Sequence, residues 1–189
     1  MMAEVSAAAD SADPLEKLIR EGEHRDATAL AARQHGAAMG RLCMALLGNQ
    51  AEAEEATQEA LVAAYRGMAG WRGEGSVKAW LFGIARKVCA KRLSKRVRQE
   101  QKLRLVHDAE ADAKLPDELV ETRRKARRLR EALEQLRPSE REAVVLRYGS
   151  GLAYRKVGEA CGIEEATARK RVSRALAKLR AILTEEGAK

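Results

Sequence analysis

Residues 151–180, GLAYRKVGEACGIEEATARKRVSRALAKLR, permit few folds. A short run with helical apolar spacing from Ala153 to Ala160 meets Cys161-Gly162-Ile163, and a longer helical run begins near Glu164. Glycine supplies the backbone freedom of a tight turn, so the segment reads as a helix-turn-helix. At about 100° per residue, Ala168, Val172, Ala175, Leu176 and Leu179 share one side of the second helix, and Thr167, Lys170, Arg171, Arg174 and Lys178 share the other. The apolar side can pack on the first helix while the polar side offers cations and a hydroxyl to a major groove, with Arg171 and Arg174 as the expected base readers. A basic helical face alone is usually a solvated one. Here the turn and the spacing together favour DNA.

The remaining sequence agrees with a helical, anion-binding protein. The 189 residues suffice for two small domains. Aromatic residues make up only 3% while alanine, leucine, arginine and glutamate dominate, which suits helices and leaves little for the faces of a sheet; an all-α fold is expected. The formal charge of +8 points to an anionic partner such as nucleic acid. The start, MMAEVSAAADSADPLEKL, has no basic region followed by an apolar core, and no apolar run approaches the ~20 residues of a spanning helix. A cytoplasmic protein without membrane insertion is therefore expected. Cys43, Cys89 and Cys161 are widely spaced, without CxxC, and read as reduced, buried, small apolar residues. With His24, His35 and His107 they form no ligand spacing, so no metal is expected. Phosphate loops of the GxxxxGK[ST] or GxGxxG type and triad-like groupings are missing, so neither an enzyme nor a cofactor site is expected.

Along the chain, residues 1–13 are small, acidic and without periodicity, a flexible tail. Helices are expected at about 14–22, 26–47, 51–69 and 76–97, broken at Gly48-Asn49 and through Gly70 to Gly75, and make a first domain over 14–100. Residues 101–121 are expected to be a flexible acidic linker that ends in HDAEADAKLPDELVE, residues 107–121. A second domain over 122–185 has Pro138 at the first turn of one helix and ends with the helix-turn-helix.

A second basic helix lies in the first domain. In SVKAWLFGIARKVCAKRLSKRVR, residues 76–98, Leu81, Phe82, Ile84, Ala85, Val88, Cys89 and Leu93 cover an apolar arc, and Trp80, Lys87, Lys91 and Ser94 align at the opposite edge. Trp71 and Arg72, in the glycine-rich loop just upstream, bring an aromatic and a cation beside that edge, a combination suited to unstacked single-stranded bases. The plainer reading makes Trp71 and Trp80 core anchors and the lysines a solubilising face.

The order AEAEEATQEALVAAYRGMAGWRGEGSVKAWLFGIARK, then an acidic segment, then LEQLRPSEREAVVLRYGSGLAYRKVGEACGIEEATARKRVSRALAKLR, resembles the extracytoplasmic-function sigma factors of the bacterial sigma-70 family, over about residues 30–183. The resemblance implies a factor whose domain 2 binds core RNA polymerase and opens promoter DNA near the minus-10 element, while domain 4 binds the minus-35 element. Glu55, Gln58 and Glu59 then match the polymerase-contacting helix. Trp71 and Arg72 match the loop beside the melted strand, Trp80, Lys87 and Lys91 the minus-10 surface, and Lys170, Arg171 and Arg174 the minus-35 reading helix. An anti-sigma protein, often membrane-bound in this family, is implied as a further partner.

Some positions depart from the family pattern. Lys87 stands where asparagine is common, and an ammonium grips phosphate without an amide's paired donor and acceptor. Glu55 replaces aspartate, Ala166-Thr167-Ala168 replaces glycine-threonine-valine, and Lys156-Val157-Gly158 replaces glutamate-isoleucine-alanine. By helix propensity, Gly158 is expected to cost about 1 kcal/mol relative to alanine. The rival readings are a stand-alone helix-turn-helix regulator that needs no polymerase, its N-terminal bundle sensing a ligand or dimerising, and a helical adaptor whose basic faces dock acidic proteins.

Overall fold

Asp13 and Pro14 open the first helix: the Asp13 carboxylate accepts the Leu15 amide hydrogen at 3.1 Å, and Pro14 occupies the first turn, where its missing N–H is not needed. Asp13 is thus a helix cap and not part of a tail. The computed structural model describes residues 13–102 and 117–187, and every regular element among them is helical. The expectations for residues 1–12 and for 103–116 fall outside the described residues.

The first unit comprises α1 (Pro14–Arg20), α2 (His24–Leu47), α3 (Gln50–Gly67) and α4 (Val77–Lys102), with a 3₁₀ turn at Met68–Gly70. Gly48 ends α2 in the left-handed conformation at φ 79°, and Asn49 caps α3 by accepting the Glu52 amide at 3.0 Å. The buried face of α3 is all alanine, Ala53, Ala56, Ala60 and Ala64, which lets α2 and α4 lie close on either side. Larger side chains come from the partners: Met39, Leu42 and Leu46 from α2, and Leu81 and Phe82 from α4. Cys43 and Cys89 are both fully buried where α2 meets α4. The hydrogen bond that Cys89 gives Cys43, together with burial, pushes the Cys89 thiol up.

The second unit comprises α5 (Asp117–Glu134), α6 (Pro138–Val144), α7 (Tyr154–Cys161) and α8 (Glu165–Gly187). Residues 117–121, expected in the linker, form the first turns of α5. Acidic residues are favoured at a helix N-terminus by the macrodipole, so negative composition there does not imply a loop. α6 widens into a π-turn at Val145–Gly149, where the Ser150 amide reaches the Val145 carbonyl at 3.1 Å. Ala168, Val172, Ala175 and Leu179 line the buried side of α8, as the helical projection requires. They pack on α6 and α7.

The two units touch. α4 lies along α7, and α2 meets α6 and the π-turn. Gly83 of α4 stands so close to α7 that a Cβ there would sit 3.3 Å from the Ala160 carbonyl oxygen.

Candidate nucleic-acid interface

The turn of the helix-turn-helix is built by two glycines with different tasks. Gly162 caps α7 in the left-handed conformation at φ 67°, which L side chains rarely adopt. Gly158, in the middle of α7, has the incoming backbone of α8 packed directly on it. A Cβ at 158 would lie 2.6 Å from the Ile163 carbonyl oxygen. The expectation that Gly158 is merely a poor helix former is therefore corrected: the missing side chain is what lets the chain fold back. The Ile163 amide seals the turn by donating to the Gly158 carbonyl at 3.0 Å.

α8 then leaves the turn with Thr167, Lys170 and Arg174 exposed and Arg171 half-buried. Lys170, Arg171 and Arg174 have no carboxylate within ion-pair distance among the described residues, so their charge is available to an external anion. Lys178 differs from this set. Its ammonium donates to the buried Glu140 of α6 at 2.7 Å, fastening the far half of α8 to the domain. That hydrogen bond holds the Glu140 carboxyl below its ordinary range. Tyr154, at the start of α7, carries the Arg147 guanidinium 4.9 Å and the Arg169 guanidinium 4.4 Å from its ring centroid.

On α4, the Ser76 hydroxyl caps the helix by accepting the Ala79 amide at 3.2 Å. Lys87 and Lys91 are exposed one turn apart, again without an ion-pair partner among the described residues. Arg72 is exposed in the loop before the helix. The two tryptophans are less open than the expected platform. Trp71 is half-buried against the core, its indole N–H enclosed and without a partner among the described residues, and Trp80 packs its ring against Gly67 at the end of α3. Each is a partly buried anchor.

The acidic pair Glu55 and Glu59 of α3 is organised by a residue that no local spacing reveals. Arg92 of α4 donates to Glu55 at 3.0 Å and to Glu59 at 2.9 and 3.1 Å, which pushes its own pKa up. The pairing joins helices more than 30 positions apart, beyond the reach of an i,i+4 reading. Gln58 is exposed beside them and lines an open cleft of about 530 Å³ between α2 and α3, whose floor includes Gly36 and Gly40. Among the described residues no cluster of three or more metal-binding side chains occurs, and no helix is long and apolar enough to cross a membrane.

The chain has relatives among known proteins. The family model for Sigma-70 region 2 matches residues 31–99, and that for Sigma-70, region 4 matches residues 126–179. The ECF RNA polymerase sigma factor EcfG of Rhodopseudomonas palustris is 32% identical over 148 residues, 77% of this chain and 78% of EcfG. SigE of Mycolicibacterium smegmatis, another ECF RNA polymerase sigma factor, is 30% identical over 155 residues; the match covers 81% of this chain but only 60% of SigE. Among solved structures, the sigma factor RpoE of Bartonella quintana, crystallised with the anti-sigma factor NepR, superposes with a TM-score of 0.66 at 25% identity, over 82% of this chain and 96% of RpoE. CnrH, in complex with the cytosolic domain of CnrY, gives 0.68 at 20% identity, over 90% and 96%, and shares the fold. With both regions matched in the same order and EcfG 32% identical over 77% of the chain, the chain belongs to the extracytoplasmic-function RNA polymerase sigma factors of the sigma-70 family.

Proposed function

We propose that the chain binds core RNA polymerase through α3 and carries two DNA surfaces to a promoter, α4 with its preceding loop at the minus-10 element and α8 at the minus-35 element. The observation that carries this reading is the pair of unneutralised cation sets, Lys87 and Lys91 on one unit and Lys170, Arg171 and Arg174 on the other. Phosphates attract such groups at any sequence, and base choice then falls to the side chains that reach base edges. The guanidinium forks of Arg171 and Arg174 suit guanine, and Thr167 suits a thymine methyl or a phosphate. On the first unit Lys87 and Lys91 grip the backbone, while the partly exposed Trp71 and Trp80 support the opened strand. Glu55, Gln58 and Glu59 present carboxylates and an amide to polymerase. The factor itself makes and breaks no covalent bond and works in the cytoplasm.

An anti-sigma partner is part of the proposal, since RpoE and CnrH are both described in complexes of their own. The stand-alone regulator is disfavoured because residues 31–99 form a region 2 unit, which that reading leaves without a task. The test is run-off transcription on genomic fragments with core polymerase, with and without the purified chain. Initiation at defined sites only when both are present is expected. Tight, sequence-specific DNA binding by the chain alone, with no core-dependent initiation, would refute the proposal.

A further inference from the structure

We propose that Arg92 is a positioning residue for polymerase binding, a clamp that fixes the Glu55 and Glu59 carboxylates before polymerase arrives. This rests on the reading of α3 as the polymerase-contacting helix and adds to it a residue of α4.

Glu55 and Glu59 stand four residues apart on α3, so their carboxylates are neighbours of like charge that repel one another. Both side chains are long and open to solvent, 68% and 42% exposed, and on their own would sample several rotamers. Arg92 removes that freedom. Its Nη1 donates to Glu55 Oε2 at 3.0 Å, while Nε and Nη2 donate to Glu59 Oε2 at 3.1 and 2.9 Å. A guanidinium is a rigid planar fork, so these three bonds set the two carboxylates relative to each other and to α4. All of them fall on Oε2 atoms. No other hydrogen bond or ion pair among the described residues engages either carboxylate, which leaves both Oε1 atoms to accept from polymerase. Glu54, also exposed on α3, is instead held by Gln50 of its own helix.

The clamp contributes order more than cohesion. α3 and α4 already meet through buried surface, the alanine face of α3 against a helix that buries Leu81, Phe82 and Ala85, and ion pairs this open to solvent add little to stability. Binding, by contrast, is weakened whenever a rotamer-rich side chain must be immobilised at the interface, and a side chain ordered beforehand avoids that loss. Two such glutamates make the expected gain in affinity about tenfold. The same bonds commit the Arg92 charge to α3, which separates it from its neighbour Lys91 on the DNA-facing edge.

The test is the affinity of the full chain for immobilised core polymerase, measured by biolayer interferometry. Arg92→Met should weaken binding about tenfold, and Arg92→Lys, which keeps the charge but not the planar fork, about threefold. In a Glu55→Ala/Glu59→Ala background, itself weaker than wild type, Arg92→Met should have no further effect. The salt dependence of promoter binding by the holoenzyme should be the same for wild type and Arg92→Met. Removing Arg92 also unmasks negative charge, so if charge and not order governed the contact, Arg92→Met would bind core more tightly; that result would overturn the clamp. So would unchanged affinity in both Arg92 variants, or an equal loss in the double-alanine background, which would make Arg92 a structural residue. A lowered salt slope with unaltered core affinity would reassign it to phosphate. If the wild type itself fails to bind core polymerase, the initiation-factor reading falls and the clamp with it; if the wild type binds and the Arg92 variants match it, only the clamp falls.

Discussion

Gly158→Ala tests the reasoning about the helix-turn-helix most directly, because helix propensity and packing give opposite signs. Propensity alone favours alanine in a helix interior by about 1 kcal/mol. Against this, the new methyl would stand 2.6 Å from the Ile163 carbonyl oxygen, well inside the 3.4 Å at which ordinary contact begins, with the Glu165 amide nitrogen at 3.4 Å behind it. The atom struck is backbone, so no rotamer change relieves the clash. Overpacking of this kind costs about 3 kcal/mol, at the upper end of the usual range. Moving the turn outward also strains the 3.0 Å bond from the Ile163 amide to the Gly158 carbonyl, worth about 1 kcal/mol. The net loss is then about 2–3 kcal/mol, or a fall of about 5–10 °C in the melting temperature for a chain of this size. Gly36→Ala is the matched control, a helical glycine in α2 with nothing within 4 Å of the added Cβ, and should gain up to about 1 kcal/mol. Urea and thermal denaturation followed by circular dichroism measure both. A Gly158→Ala protein stabilised to the same extent as Gly36→Ala would refute the account of the turn.

Arg171→Ala and Arg174→Ala should each cost about 1–3 kcal/mol of discrimination at one base pair, read as relaxed preference in transcription from promoters randomised around minus-35; uniform weakening across all sequences would reassign them to phosphate. Lys170→Ala should lower the slope of log affinity against log salt by about one, measured on promoter DNA with holoenzyme, whereas Lys178→Met should leave the slope nearly unchanged and destabilise the fold by about 1–2 kcal/mol, since it strands the buried Glu140. The Glu140 carboxyl titrates lower in the folded chain than in the unfolded one, so its stabilisation is complete above the unfolded value of about 4.3 and disappears as pH falls through the folded value. Urea midpoints of wild type and Glu140→Gln should accordingly differ at pH 6 and converge towards pH 3; a constant gap would contradict the pairing.

Much of this molecule is legible in its sequence where the governing interactions are local. Gly162, the apolar stripe from Ala168 to Leu179 and the prolines at 14 and 138 act within a turn or two, and the helices follow them. Local reading fails where the deciding atom comes from elsewhere in the chain. Helix propensity treats Gly158 as a defect because it cannot see Ile163 passing over it. Lys178 looks like its neighbours on the projection until Glu140, 38 positions earlier, takes its charge. Arg92 shows no motif at all, yet it organises Glu55 and Glu59. Residues 117–121 look like linker by composition and are helical. The meeting of α4 with α7 depends on two faces that carry no shared pattern, one a glycine and the other a main-chain carbonyl.

The tie between Lys178 and Glu140 also has a mechanical consequence. α8 is held near its start by the turn packed on Gly158 and again, between three and four turns later, by an ion pair whose acidic end is embedded in α6. A rod clamped at two points cannot pivot about either. The reading helix therefore has no independent compliance, and any mismatch in the distance or twist between promoter elements must be absorbed by whatever lies between the two units, never by tilting the helix in its groove.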